Sequence, residues 1–355
     1  MKRTLLNLFD SIKREGVNFS QSQKFYFLIG AIAIAAILPI FLTTYVVSEV
    51  LTLMLIFAIY ASSWNLLASS GQGSLGHAGF LGIGGFVSAL LPIKLGVPPI
   101  IGLFLGSLLS AVIGFLIGLT CVRLKAWFLA MVTFGFSVII VTIFTVPEVD
   151  EFTGAVLGFP TPFIAERGLP FYYLTFVITV VSILVMYLAM KSKIGLTFKA
   201  IHQNELEAKM IGINTAKYRL IAFVISTFFA GLAGGLFAYS IGYINHSVFD
   251  PYYSFLPLMM AVIGGLGTIE GPIIGSVIIV TIYRYLPKID PLLGSLVGRE
   301  GLIPLFPAVS KVGPPLRFLF LGLFLIVVVI FAPKGLTPLM KKAYKHLISS
   351  EEKPK

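Results

Sequence analysis

The chain has 355 residues and a formal net charge of +11, with 57% hydrophobic and only 12% charged residues. Soluble proteins usually carry about a quarter of charged residues, whereas the apolar runs of this chain reach about 20 residues, the length of a transmembrane helix. The composition therefore predicts an all-α, polytopic membrane protein.

The positive charge does not indicate a nucleic-acid-binding protein, because the Lys and Arg residues gather in a few clusters beside the apolar runs. Such clusters orient a membrane protein and contact anionic lipid. The single cysteine, Cys121, lies inside an apolar run. No intrachain disulfide is possible, and the sequence predicts no redox or metal chemistry and no cofactor.

Residues 1–24 form a polar, basic segment that precedes the first apolar run. One face of a possible helix here carries Leu5, Leu8, Phe9 and Ile12. Both an interfacial amphipathic helix and a disordered basic tail fit this pattern. A cleavable signal does not, because the polar stretch is long and the following apolar run is long enough to span a bilayer.

Residues 25–336 are predicted to form the transmembrane domain, with about ten spans and Gly-rich broken segments, followed by a cytoplasmic tail at 337–355. The predicted spans are residues 25–46, 48–69, 72–93, 98–121, 126–146, 171–190, 219–243, 254–268, 271–286 and 316–333. The two spans within 254–286 are short and interrupted by glycine.

The basic clusters predict the orientation. They lie in the N-terminal segment, between the fourth and fifth spans, between the sixth and seventh spans, and after the last span. Ten spans place all of them on the cytoplasmic side of the cell (inner) membrane, together with both termini. The acidic stretch at 148–151 and the loop at 287–315 are then predicted to be extracytoplasmic.

The first unusual segment is a glycine-rich stretch at residues 71–85. A lipid-facing helix has no need of so many glycines and polar groups. One interpretation is a close helix crossing, which small residues allow; the other is a broken segment that lines a solute path. The side chains and backbone positions selected for such a path are Gly71, Gln72, Gly73, Ser74 and His77.

A second break follows near residue 264, and its selected positions are Gly264, Gly265 and Gly267. Paired glycine and proline interruptions in the two halves of a chain are typical of discontinuous helices around a central site. The alternative is a tight turn between two packed helices, since Gly271-Pro272 is a common turn signal.

The longest polar segment between spans is residues 191–219. Its periodicity predicts two short amphipathic helices, at 196–201 and 206–211, with Asn204 as an N-cap and Gly212 as a stop. A surface helix with an apolar face must bury that face in a partner or in lipid headgroups. The sequence thus predicts either a docking segment or an ordinary interfacial loop.

The source of energy must lie outside the chain. Carboxylates are rare near membrane depth, where ion-driven carriers use them as relays, and Glu49 and Glu270 are the two that come near. The sequence has no P-loop, no His-Glu-x-x-His and no cysteine pair. These features predict a protein that is not an enzyme.

Three ordered stretches resemble the permease family of branched-chain amino-acid ABC transporters, specifically its M-type subunit. The first runs through Trp64-Asn65-Leu66-Leu67 and residues 71–84, with Gly-Gln-Gly-Ser-Leu-Gly-His-Ala-Gly-Phe. The second is the polar segment at 195–214. The third comprises residues 230–234 and 264–272, and Pro333-Lys334-Gly335-Leu336 closes the match.

The resemblance implies an ATP-binding-cassette importer of leucine, isoleucine and valine. Its expected partners are a second homologous permease, two ATP-binding subunits and an extracytoplasmic binding protein. The ATPase-docking residues implied are Glu205, Glu207, Ala208 and Gly212. The same architecture for urea or short amides is an alternative, and a stand-alone channel or ion-coupled carrier is a more distant one.

Overall fold

The structure, a computed structural model, describes residue 33, residues 35–121, 124 and 126–297, and the short stretches 322–323, 325–326, 330, 332 and 335–337. These residues are almost entirely helical. In chain order the helices are α1 (Thr44–Ala68), α2 (His77–Leu95), α3 (Pro99–Cys121), α4 (Ala126–Thr145), α5 (Pro147–Thr153), α6 (Leu169–Lys191), α7 (Lys193–Gln203), α8 (Glu205–Met210), α9 (Thr215–Ile241), α10 (Pro251–Gly264) and α11 (Glu270–Val297).

Six helices within the described part of the chain are long and apolar enough to cross a membrane: α1, α2, α3, α4, α6 and α9. They correspond to the second through seventh predicted spans. The predicted segments at 1–24, 316–333 and 337–355 lie wholly or largely outside the described residues. The predicted span at 25–46 is described at residue 33 and from residue 35 onward, where Leu38–Phe41 forms a 3-10 turn and α1 begins at Thr44. The described helices therefore do not test the predicted count of ten transmembrane spans.

Three predicted boundaries were wrong. The separation predicted between residues 46 and 48 lies inside α1, which runs from Thr44 to Ala68. The span predicted at 72–93 begins only at His77, because residues 71–76 are not helical. The span predicted at 271–286 is part of a longer helix, α11, which continues to Val297. Hydropathy falls after residue 286, but a fall in hydropathy marks the edge of the apolar stretch and does not end a helix.

The core forms where α9 packs against α1, α2 and α3. Glycines make this packing close: a Cβ on Gly84 of α2 would overlap the carbonyl of Gly231, and a Cβ on Gly234 would overlap that of Leu81. Backbones in contact gain dispersion energy along the whole crossing. The Gly79–Gly85 half of the glycine-rich stretch thus follows the helix-crossing interpretation.

The two ends of the bundle differ. One end carries α7, α8 and the α1–α2 connection, and we call it the α7–α8 end. The other carries a two-residue antiparallel ladder between β1 (Phe159–Pro160) and β2 (Tyr243–Ile244), with Phe159 opposite Ile244; we call it the β end. The ladder fastens the α5–α6 connection to the end of α9.

Candidate functional site

The first break, residues 71–76, is a tightly held connection between α1 and α2. Gly71 adopts a φ of 77°, a left-handed conformation that favours glycine. The indole nitrogen of Trp64 donates to Ser74 O at 2.7 Å, and Leu75 N donates to Thr133 Oγ1 at 3.1 Å. A Cβ on Gly76 would overlap Thr133 O. The break therefore needs glycine where it turns and where it meets α4.

This break lies against the α7–α8 segment. The Gln72 amide donates to Ser70 Oγ and to the carbonyl of Arg219, both at 3.0 Å. A cavity of about 470 Å³ opens between the break and the short helices. It is lined by Ala68, Gly71, Gln72, Gly73, Ile201, His202, Glu205 and Arg219.

His77, the first residue of α2, is completely buried. Its Nε2 lies 3.0 Å from Ser226 Oγ, and that hydroxyl donates to Ser63 O at 2.7 Å. Because the Ser226 proton is used, Ser226 accepts from Nε2–H, and Nδ1 is the unprotonated nitrogen. Nδ1 is buried without a hydrogen-bond partner. His77 thus links three helices and keeps one free acceptor.

The second break joins α10 to α11 as a tight turn. Gly265 and Gly267 have φ values of 130° and 72°, and a Cβ on Gly264 would overlap Gly271 O. The side-chain amide of Asn65, on α1, holds this turn through both its NH2 group and its carbonyl oxygen. It donates to Thr268 O at 2.7 Å and accepts from Gly267 N at 2.8 Å. Locally, the turn interpretation is confirmed.

The polar segment forms two short helices, as predicted. Ser192 caps α7 by accepting from Ile194 N at 3.2 Å. The predicted N-cap at Asn204 is confirmed, because its side chain accepts from Leu206 N and Glu207 N. Gly212 has a φ of 82° and lies just beyond α8, in the predicted stop position. These caps fix α8 as a separate helix at the surface.

α8 is amphipathic, but part of its apolar surface faces outward. Ala208 is buried, as are Phe198 and Ile201 of α7. Leu206, Met210 and Ile211 are exposed. Four of the selected positions therefore differ in environment: Ala208 packs inward, whereas Glu207 and Gly212 are exposed and Glu205 is half-buried.

Glu205 forms the electrostatic centre of this end. Its carboxylate lies 2.8 Å from Lys209 Nζ and 2.8 Å from Arg219 Nη2, and it accepts from Thr215 Oγ1 at 3.2 Å. Partial burial by itself raises the pKa of Glu205, but the hydrogen bond from Lys209 and the charges of Arg219 and Lys209 outweigh it. The net pKa of Glu205 is below its ordinary value.

Arg219 is a functional candidate that the sequence reasoning did not select. It entered only as a basic residue that fixes orientation, yet its side chain is 11% exposed and it contacts both Glu205 and, through its carbonyl, Gln72. The available signal was its position, an arginine in the first turn and a half of a long apolar helix.

The family described as "Branched-chain amino acid transport system / permease component" matches residues 46–329 of the chain. The chain is 26% identical over 348 residues to the high-affinity branched-chain amino acid transport system permease protein LivM of Salmonella typhimurium, covering 90% of this chain and 76% of the relative. LivM of Escherichia coli is 25% identical over the same shares.

A shorter similarity, 35% identity over 92 residues, connects the chain to the permease protein LivH of Salmonella typhimurium and covers 25% of this chain and 28% of the relative. No solved structure matches the chain.

Proposed function

The chain belongs to the branched-chain amino acid transport permease family, and on that premise we propose that it is the transmembrane permease subunit of an ATP-binding-cassette importer for leucine, isoleucine and valine. It is a transport subunit rather than an enzyme. We further propose about ten spans, with the α7–α8 end and both termini in the cytoplasm.

The observation that carries this proposal is the contact route from α8 to the first break. Glu205 of α8 pairs with Arg219 of α9, and the Arg219 carbonyl accepts from Gln72 in the break. A subunit without a nucleotide-binding motif must receive energy mechanically. A partner that moves α8 would move the break through two direct contacts.

The exposed side of α8 suits a protein partner. Leu206, Met210 and Ile211 leave apolar area uncovered beside the charged residues Glu207 and Lys209. Glu205, Glu207, Ala208 and Gly212 form the proposed docking region for an ATP-binding subunit, with Ala208 supporting α8 from within. Apolar anchors inside a polar rim are typical of protein interfaces.

The proposed solute passage runs beside the two breaks. Its residues are Gly71, Gln72, Gly73, Ser74, His77, Gly264, Gly265 and Gly267. In this conformation Gln72, Ser74 and His77 are buried and bonded within the protein. Contact with solute therefore requires the first break to leave its present position, which rigid-body gating would supply.

The proposed assembly contains a second homologous permease, two ATP-binding subunits and an extracytoplasmic binding protein, embedded in lipid. The outer surfaces of α3, α4 and α6 carry large exposed apolar side chains that suit lipid or the second permease. The similarity to both LivM and LivH supports a multi-subunit system.

The deciding experiment is uptake by proteoliposomes that contain all partners. We expect leucine uptake that requires ATP and the binding protein. Conductance or gradient-driven uptake by the chain alone would contradict the proposal. Comparing leucine with urea as the ligand of the binding protein separates the two importer alternatives, and unchanged uptake in variants of Gln72, Ser74 and His77 would remove these residues from the passage.

Docking is tested separately with Leu206→Asp and Met210→Asp, which place acids on exposed positions of α8. We expect the ATP-binding subunit to dissociate or hydrolysis to become uncoupled from uptake. Gln203→Asp is the matched control, because it adds the same charge at an exposed position on α7. Equal co-purification and coupling in all three variants would leave α8 as an interfacial helix.

A further inference from the structure

An ion pair joins two distant parts of the chain. Of the three ion pairs among the described residues, two share Glu205, and the third connects Glu49 of α1 to Arg284 of α11. Arg284 Nη2 lies 2.6 Å from Glu49 Oε2. The side chain of Glu49 is 39% exposed and that of Arg284 is 27% exposed, so the pair is accessible from outside the protein core.

The backbone around Glu49 is also unusual. Val47–Leu51 forms a π-helical turn at the start of α1, and such turns are rare and are frequent at functional sites. Ionisable groups on the helices of a membrane protein are costly, and they usually mark a solute or ion path. The pair therefore calls for a function beyond holding two helices together.

Arg284 retains capacity to bind. A guanidinium has five N–H donors, and Arg284 Nε is buried without a hydrogen-bond partner. A second anionic oxygen near this guanidinium would find donors available. A carboxylate matches the geometry of the guanidinium fork and binds it through two parallel hydrogen bonds.

Tyrosines lie on both helices of the α10–α11 hairpin, which also carries Arg284. Tyr252 of α10 stacks on Tyr283, the neighbour of Arg284, with ring centroids 6.2 Å apart. The ring centroid of Tyr253 lies 5.2 Å from that of Tyr252. Aromatic rings offer apolar area next to polar groups. Charge of both signs and apolar surface thus occur together.

The pair also marks one end of a helix seam. α1 packs against the α10–α11 hairpin, and Asn65 holds the turn of that hairpin at the α7–α8 end. Glu49 precedes Asn65 by 16 positions, so the two contacts are about 24 Å apart along α1. The Glu49–Arg284 pair therefore closes the seam toward the β end.

We propose that Glu49 and Arg284 form a recognition site for a zwitterionic α-amino acid at the β end of the seam between α1 and the α10–α11 hairpin. On binding, the Glu49–Arg284 pair opens: the carboxylate of the solute takes the place of Glu49 on Arg284, and its ammonium group binds Glu49. The aliphatic side chain of the solute packs on Tyr252 and Tyr283. This inference rests on the proposed importer function and gives its substrate class a basis in the chain's own residues. Urea and simple short amides, which carry neither an ammonium nor a carboxylate group, gain nothing from such a pair.

The test uses the complete complex in proteoliposomes, with labelled leucine, leucinamide and urea as probes. The informative variants are Glu49→Gln/Arg284→Gln, which keeps hydrogen-bonding side chains without charge, and the exchanged pair Glu49→Arg/Arg284→Glu. Lys94→Gln and Glu148→Gln are the controls, because each removes one charge outside this seam. Thermal unfolding of each variant and its ATP hydrolysis are measured in parallel.

We expect the double glutamine variant to lose leucine uptake by about tenfold or more, as loss of charged hydrogen bonds implies, with ATP hydrolysis retained. The exchanged pair should recover thermal stability but not uptake, because it presents the charges in reversed positions. Uptake restored in the exchanged pair, or unchanged in the double glutamine variant, would make the pair purely structural.

Uptake by the wild-type complex distinguishes failure of the proposed importer function from failure of the proposed recognition site. If it shows no ATP-driven uptake of any probe, the importer function fails. If it transports leucine and the double glutamine variant does so equally well, only the recognition site fails. If it transports urea and not leucine, the recognition site is overturned while the importer architecture stands.

Discussion

Trp64 and Asn65 are adjacent in sequence, and each holds a different break. The Trp64 indole donates to Ser74 O in the first break at 2.7 Å, and the Asn65 amide donates to Thr268 O in the second at 2.7 Å. Successive residues on a helix point in different directions. The C-terminal part of α1 therefore connects the two breaks, and a movement of the helical turn that carries Trp64 and Asn65 would displace both.

Asn65→Leu should weaken the second break selectively. The substitution removes a donor and an acceptor and leaves Thr268 O and Gly267 N without their partners. We expect a loss of about 2 kcal/mol in unfolding free energy, measured by unfolding of the purified chain in detergent. Asn65→Asp should be intermediate, since it keeps the acceptor for Gly267 N; equal stability of all three forms would contradict the assigned contacts.

Glu205→Gln should separate ATP hydrolysis from uptake. It removes the charge that pairs with Arg219 and Lys209 and leaves a mostly buried guanidinium uncompensated. We expect a stability loss of about 2 kcal/mol and a larger fall in leucine uptake than in ATP hydrolysis by the reconstituted complex. Glu151→Gln is the control, because it removes the same charge from an exposed position on α5, outside the proposed docking region. The route through Arg219 is contradicted if the two variants behave alike.

The lowered pKa of Glu205 predicts a pH dependence with a definite sign. A carboxyl group whose folded-state pKa is depressed stabilises the fold fully above its ordinary value and loses that contribution as the pH falls through the lowered pKa. For Glu205 the ordinary value is 4.5. Melting temperatures of wild type and Glu205→Gln should therefore converge as the pH falls below 4.5, and a constant difference would show that Glu205 does not titrate in this way.

Gly84→Ala should be among the most damaging single-methyl additions in the chain. The new Cβ would meet the backbone of Gly231, which cannot move aside as a flexible side chain can. We expect a loss of about 3 kcal/mol, at the upper end for overpacking, seen as lower yield and a lower melting temperature. Gly73→Ala adds the same methyl group in open space and should be tolerated.

The local structure of the long apolar helices and of α7 and α8 followed from the sequence. Hydropathy runs located α1 through α4, α6 and α9, since span length is set by the bilayer. Asn204 and Gly212 marked the limits of α8, because capping is a local interaction. These features depend on neighbours within a few positions.

The site's long-range contacts did not follow from the sequence. Gln72 and Arg219 are 147 positions apart, and Glu49 and Arg284 are 235 positions apart. A hydropathy pattern treats Arg219 as an orienting charge and Glu49 as the edge of a span, because it has no information on which helices are neighbours. The glycine-rich stretch was ambiguous for a related reason: its first half is a connection and its second half is a crossing, and composition alone does not divide it.

The close glycine crossings give α9 a mechanical property. With 27 residues it is about 40 Å long, and its backbone is wedged against those of α2 and α3, so it resists bending. A displacement of Arg219, near the N-terminal end of this rigid helix, would tilt the whole helix. A tilt of about 5° moves the C-terminal end by about 3 Å. The far tip ends at Gly242, beside the β1–β2 ladder, so a tilt of α9 would couple the α7–α8 end of the bundle to the β end.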